Sequence, residues 1–348
     1  MRDHQVSVII PAYNAGACLA RCIDSALFQT LKPTQIIVVN DGSTDRTLDV
    51  ARSYEGRVEI IDQENMGQGA ARNAGLRVVR GEFVAFLDAD DHWLPTFLST
   101  CVSFLRKYPE AVAVSTGRLA GKWGRQSAEP RALQVASSPD NTGYLLDNFF
   151  ETWAKYDHVR TGTVLIRRDV IEEAGPQLEI RISQDLEYWG YIATFGRWGF
   201  IPQALWVSNS FNHAVRSGWM RRYKKRRRMC PSVEDWEKRI TPRLKPEDWP
   251  GFLAVRGRVA KGYAHNKLLI GHDRNALSEV RQYGGDFPRD SISKIMLWGS
   301  RTGRLGWAIC CIALRLREHL KCFLVHRLYG GWRIPHGPCS TARMGPGI

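Results

Sequence analysis

Residues 84–93, VAFLDADDHW, drive an apolar run straight into three carboxylates, Asp88, Asp90 and Asp91. Carboxylates so close repel one another, and desolvating them without a partner is costly. Two arrangements relieve this. A cation sits among them, or the strand ends in a solvated turn where Asp91 caps a helix starting at HWLPTFL. Other polar residues follow apolar runs in the same way. PAYN (11–14) follows VSVII, and Asp41 follows QIIVV within NDGSTD. Arg72 lies in the glycine-rich stretch NMGQGAARNAGL (65–76), and Asp185 in ISQDLEYWG (182–190).

The elements that must position these residues are short. Strands are expected at 6–10, 35–39, 58–62 and 82–88, each a β-branched or apolar run closed by turn residues. Helices are expected at about 17–29 and 44–54, and 65–79 reads as a glycine-rich entry to a third. Strand and helix alternating at this spacing imply a parallel α/β sheet with right-handed crossovers. Ligands of such sheets bind beyond the carboxyl ends of the strands. Asp41, Asp88, Asp90 and the PAYN loop therefore converge on one crevice, which helix caps alone do not explain. Farther on, GTVLIRRDVIEEAG (162–175) reads as a strand followed by a helix, and Asp185 falls at a helix start, where the dipole favours an acid.

VSVIIPAYN, IIVVNDGSTD, NMGQGAARNAGL and FVAFLDADD together resemble the nucleotide-sugar-binding half of family 2 glycosyltransferases. Four motifs in order and at the right spacing, across residues 5–95, are far more specific than a lone D-x-D. The resemblance implies a GT-A fold: a single Rossmann-like α/β/α sandwich, with residues 1–110 binding the donor and 111–215 receiving the acceptor. It also implies roles. Pro11, Ala12, Tyr13 and Asn14 would line the base and ribose, and Asp41 would accept a hydrogen bond from a uracil imide. Gly67 and Arg72 would lie near the base or diphosphate, Asp88 and Ala89 near the ribose. Asp90 would hold Mg²⁺ or Mn²⁺, with His213 a further candidate ligand. Asp185 would be the general base. The family pattern there is Glu-Asp, whereas this chain has Gln184-Asp185, so the base is kept and its acidic neighbour is not.

The implied reaction is inverting transfer of a sugar from a nucleotide diphosphate, UDP favoured, to a hydroxyl of a glycan or lipid-linked acceptor in envelope or extracellular polysaccharide or glycolipid synthesis. The alternative is a catalytically weak sugar-nucleotide-binding or scaffold protein, for which Gln184 is the only sign. TFGRW (194–198) lacks the Gln of the processive Q-x-x-R-W motif, so non-processive transfer is expected. No G-x-G-x-x-G follows the first strand, which disfavours a dehydrogenase.

Charge is unevenly spread. Residues 1–215 carry 21 Lys/Arg against 25 Asp/Glu, and residues 216–348 carry 28 against 10. A basic, mainly helical extension over 216–348 is expected, with a disordered end from about 335. RSGWMRRYKKRRR (216–228) holds eight cations and no acid. In 304–329, Leu305, Ile309, Ile312, Leu316, Leu320 and Phe323 share one helical face, which either packs on the body or lies in a membrane interface. If the extension does not pack on the body, an anionic membrane surface is its expected partner. No nucleic-acid partner is expected, because no RNA- or DNA-binding motif accompanies the charge. Eight cysteines without paired spacing suit a reducing compartment. With no signal peptide and no run of 18 apolar residues, the expected location is cytoplasmic, with peripheral membrane contact possible through the extension.

Overall fold

The computed structural model describes residues 6–120, 143–156, 158–180, 182–208 and 230–329. His213, the run 216–228 and the end beyond 335 lie outside the described residues. The first strands and helices are β1 (Val6–Ala12), α1 (Leu19–Leu27), β2 (Gln35–Asp41), α2 (Thr47–Arg52), β3 (Glu59–Gln63), α3 (Gln68–Leu76) and β4 (Phe83–Phe86). Then come β5 (His92–Trp93), α4 (Phe97–Lys107), β6 (Ala111–Ala120), β7 (Tyr144–Leu145), α5 (Phe149–Lys155), β8 (Val164–Arg167), α6 (Arg168–Ala174), α7 (Gln184–Ile192) and β9 (Arg197–Ser208).

All nine strands form one sheet in the order β3-β2-β1-β4-β8-β6-β9-β5, with β7 added beside β9. β1 to β4 are parallel neighbours, as the alternating pattern predicts. The sheet becomes mixed at β8, which runs antiparallel to both β4 and β6. Period-2 alternation divides the strand residues between two cores. Val6, Val8, Ile10, Ile36 and Val38 pack with α1 and α4, while Ile9, Ile37, Val39, Val84 and Phe86 pack with α3 and α5 to α7. Helices thus cover both faces, the α/β/α arrangement expected.

The C-terminal region is helical: α8 (Val233–Glu237), α9 (Trp249–Leu269), α10 (Asp273–Tyr283), α11 (Ser291–Arg301) and α12 (Gly303–Tyr329). Its apolar residues Trp236, Phe252, Tyr263, Val280, Met296 and Leu314 join the same core as α5 to α7. A buried ion pair also ties it to the body. Arg239 grips the fully buried Glu187 of α7 with two hydrogen bonds, at 2.9 and 2.7 Å.

One expectation is corrected and one open alternative is narrowed. Asp91 does not cap a helix: His92–Trp93 pair with β9 as a strand, and α4 begins at Phe97 with Thr96 at its N-cap. Instead Asp91 is buried, with its amide donating to the Asp88 carbonyl in a tight turn (2.9 Å). On α12 the face that packs on the body is Trp307, Cys310, Cys311 and Leu314, not the one holding Leu305 and Ile309. The register is set by polar contacts that periodicity does not reveal. Trp307 Nε1 donates to the Asp273 carbonyl (3.1 Å), and Arg315 donates to the Leu268 carbonyl (2.9 Å) and pairs with Asp273.

Candidate active site

The carboxyl ends of β1, β2 and β4 carry the predicted residues, and hydrogen bonds join their loops into one structure. Pro11 and Ala12 end β1 and are buried, followed by Tyr13, about half exposed. Asn14, at φ 49°, takes the left-handed conformation that Asn tolerates better than most residues. Its Oδ1 accepts from Thr44 N (2.8 Å), and its own amide donates to Ser43 Oγ (3.0 Å). Ala15 N donates to Thr47 Oγ1 (2.7 Å) and Gly16 N to Asp45 (3.2 Å), so the loop after β1 is laced to the loop after β2. Burial pushes the Asp45 carboxyl up, but hydrogen bonds from Thr47 and Gly16 outweigh it and hold the group below its ordinary value.

Asp41 anchors the next layer. Its buried carboxylate accepts from Gln63 Nε2 (2.8 Å) and Met66 N (2.9 Å) on Oδ1, and from Gly67 N (2.9 Å) on Oδ2. A carboxylate offers about four acceptor directions, so one remains on Oδ2. Gly67 meets this geometry at φ 97°, and Gly42, at φ 67°, lies where a Cβ would come within 2.6 Å of Asn65 N. Any side chain at Gly42 would push the 63–67 loop off Asp41.

Asp88 receives two donors from one face of α3. Gln68 Nε2 and Arg72 Nη2, four residues apart, each reach its Oδ1 at 2.8 Å. Arg72 is 1% exposed, and its Nε and Nη1 are buried with no hydrogen-bond partner. Gln68 Oε1 in turn accepts from Gln184 Nε2 (3.2 Å). The predicted base, Asp185, is therefore in the first turn of α7 beside a residue wired through Gln68 to Asp88. Gln68 itself escaped the sequence reading, although its i, i+4 spacing from Arg72 was available. So did Gln63, which is the cross-strand partner of Asp41 in the β2–β3 register.

Ala89 is buried between Asp88 and Asp90, and Asp90 is half-buried beside α1. Arg21 Nη2 reaches the Asp90 carbonyl at 3.4 Å. Burial, then repulsion from Asp90, pushes the nearby Cys18 thiol up to about 11. Burial, then Asp91, raises Cys22 well above its ordinary value, and burial, then Arg21, lowers His92. The oxygens of Asp88 and Asp90 suit a hard divalent cation. No group of three or more His, Cys, Asp or Glu converges among the described residues. Asp88 and Asp90 fit a cation that takes further oxygen ligands from beyond these two side chains.

Residues 7–175 match the sequence profile described as glycosyl transferase family 2. The protein named uncharacterized glycosyltransferase YibD, from Escherichia coli K12, is 42% identical over 103 residues, 29% of this chain and 30% of its own. Chondroitin synthase from Escherichia coli is 39% identical over 105 residues, 29% of this chain and 15% of its own. The chain thus aligns with less than a third of the length of these relatives. Staphylococcus aureus TarS 1–349 in complex with UDP-GlcNAc superimposes with a TM-score of 0.57 at 15% identity, covering 91% of this chain and 92% of that one. Mannosyltransferase PcManGT from Pyrobaculum calidifontis, in complex with GDP-Man and Mn²⁺, gives 0.55 at 18% identity, covering 94% and 88%. Identities this low establish a shared fold.

Proposed function

Residues 7–175 make this chain a member of glycosyl transferase family 2, and on that premise we propose that it transfers a sugar from a nucleotide-diphosphate donor to an acceptor hydroxyl with inversion. The observation that carries the reading is the hydrogen-bonded path Arg72–Asp88–Gln68–Gln184, which ties the donor-side carboxylate to the helix bearing Asp185. In this reading Pro11 to Asn14 and Asp41 line the nucleotide, and the free acceptor direction on Asp41 Oδ2 takes a ring N–H of the base. A uracil imide offers that donor, and so does guanine, so UDP is favoured here by resemblance and not by Asp41. Gly67, Arg72, Asp88 and Ala89 flank ribose and diphosphate.

Asp90 would hold Mg²⁺ or Mn²⁺ together with diphosphate oxygens, and when bound the cation supplies Lewis-acid stabilisation of the leaving group. Asp185 takes the proton of the acceptor hydroxyl as its oxygen attacks the anomeric carbon. The bond to the diphosphate oxygen breaks on the opposite face, and the nucleoside diphosphate leaves with the electron pair. A single displacement inverts the carbon and needs only this one base. Burial and the two bonds to Arg239 make Glu187, two residues on, a structural carboxylate and not a base.

The reading gives Gln184 a role of its own. Gln184 is not a vacant acid: its amide donates to Gln68, which a carboxylate cannot do. The acceptor is proposed to be a glycan or lipid-linked saccharide. The test is a panel of nucleotide sugars, read by cation-dependent thermal stabilisation and by product analysis. An α-linked donor must yield a β-linked product. Retention of configuration, or no stabilisation by any nucleotide sugar with Mg²⁺ or Mn²⁺, overturns the proposal.

A further inference from the structure

α12 is apolar on two opposite faces. Trp307, Cys310, Cys311 and Leu314 are sealed against the body, while Leu305, Ile309, Ile312, Leu316 and Leu320 are between 48% and 75% exposed. At 100° per residue these five fall within an arc of about 80°, and their 15-residue span makes a ridge roughly 22 Å long. The first face explains why the helix is anchored. It leaves the second unexplained, because a folded surface does not ordinarily carry a continuous bare apolar stripe.

The charges around the stripe indicate what covers it. Residues 291–320 hold five Lys/Arg against one Glu, and of the five Arg315 faces the body. Arg301, Arg304 and Arg317 are exposed at the start of α12 and along its flank. Two copies meeting stripe to stripe would bring these cations against each other, as would any other basic partner. A surface that is apolar within and anionic at its rim matches both features at once. No helix among the described residues is long and apolar enough to cross a membrane, so α12 would lie along such a surface and not through it. We propose that the Leu305–Leu320 stripe of α12 seats in the headgroup boundary of an anionic lipid bilayer, with the flanking arginines on the phosphates.

The membrane would then hold the site at a lipid surface, where lipid-linked acceptors reside, although the docking stands on α12 alone and does not depend on the transfer reaction. Interfacial binding grows with buried apolar area, and each Lys or Arg near anionic lipid adds roughly fivefold. The test uses the full chain, vesicles of phosphatidylcholine with or without phosphatidylglycerol, and the double variant Ile312→Glu, Leu316→Glu. Both side chains are exposed, so the melting temperature and nucleotide binding should hold. The wild type should sediment with phosphatidylglycerol vesicles at low salt, and the variant should lose roughly 30- to 100-fold in partitioning. Wild type that ignores these vesicles, or a variant that binds them equally, overturns the proposal. So does light scattering that shows a wild-type dimer dispersed by the substitutions, for then a second copy covers the stripe.

Discussion

Asp41→Asn tests the donor loop with almost no change in shape. In the wild type one buried carboxylate accepts three donors, Gln63 Nε2, Met66 N and Gly67 N. Asparagine has a single acceptor oxygen. Placed toward Gln63 and Met66, it turns its NH₂ on the Gly67 amide, donor against donor at about the 2.9 Å of the present bond. Flipped, it satisfies Gly67 and opposes the other two, which is worse. The Gly67 amide is buried, so water does not replace the acceptor it loses. An unsatisfied buried amide costs about 1–3 kcal/mol, and reducing two charge-assisted bonds to neutral ones costs about 1 kcal/mol more. The sum, about 2–4 kcal/mol, falls on the 63–67 loop. At this chain length it should lower Tm by about 3–5 °C. Because the same loop presents Gly67 and starts α3, UDP affinity should fall about 10- to 100-fold. Differential scanning calorimetry and isothermal titration with UDP read the two effects separately. A variant that melts within a degree of wild type and binds UDP equally would refute the role given to Asp41.

Asp90→Ala should abolish turnover and cation-dependent donor binding while leaving the fold intact, since the side chain is only half-buried; full activity in excess chelator contradicts the metal assignment. Asp185→Asn keeps shape but removes basicity, so donor affinity should hold and turnover should fall about 10²–10⁴-fold; near-normal turnover means the base is elsewhere. Burial and then Arg21 lower the pKa of His92, so between the folded value and the ordinary 6.5 the unfolded chain binds more protons. Stability should therefore decline as pH drops below about 6.5 and level off once the folded imidazole also protonates. His92→Phe should flatten that slope in Tm measured against pH, and an unchanged slope assigns it to another group.

Much of the fold was legible because its strands are short, apolar and closed by turn residues. QIIVV before NDGSTD and FVAFL before DADD could hardly be anything but buried parallel strands. The mixed half was not legible. Whether VLIR runs with or against its neighbours depends on which edge it reaches, and no residue within β8 records that. His92–Trp93 defeated helix reasoning for a similar reason. Two residues are too few to show a period, and their pairing with Val207 and Trp206 is decided more than a hundred residues away. On α12, periodicity found one apolar face, left open whether it met the body, and missed the second face, which does. A helix with two apolar faces has no preferred one until Trp307 and Arg315 find partners on Asp273 and Leu268.

The candidate site was legible in its charges and illegible in its amides. Asp41, Arg72, Asp88 and Asp185 announce themselves because ionised groups at strand and helix ends need an explanation. Gln63, Gln68 and Gln184 do not, since a glutamine is ordinary anywhere on a surface. Yet these three decide what the acids can do. Gln63 takes up one direction on Asp41, and Gln68 shares Asp88 with Arg72. Gln184 then reaches Gln68 across 116 residues of sequence. An amide can donate at one end and accept at the other, so it can relay between two groups of fixed polarity, which no carboxylate does without a proton. With glutamate at the buried position 184, a second negative group would approach Gln68, and the carbonyl end of Gln68 would face an acceptor. Gln68 would have to flip, turning its own carbonyl on Asp88. The departure from the family's Glu-Asp pattern and the presence of Gln68 are thus one feature. Where α3 offers an amide carbonyl, α7 must answer with a donor.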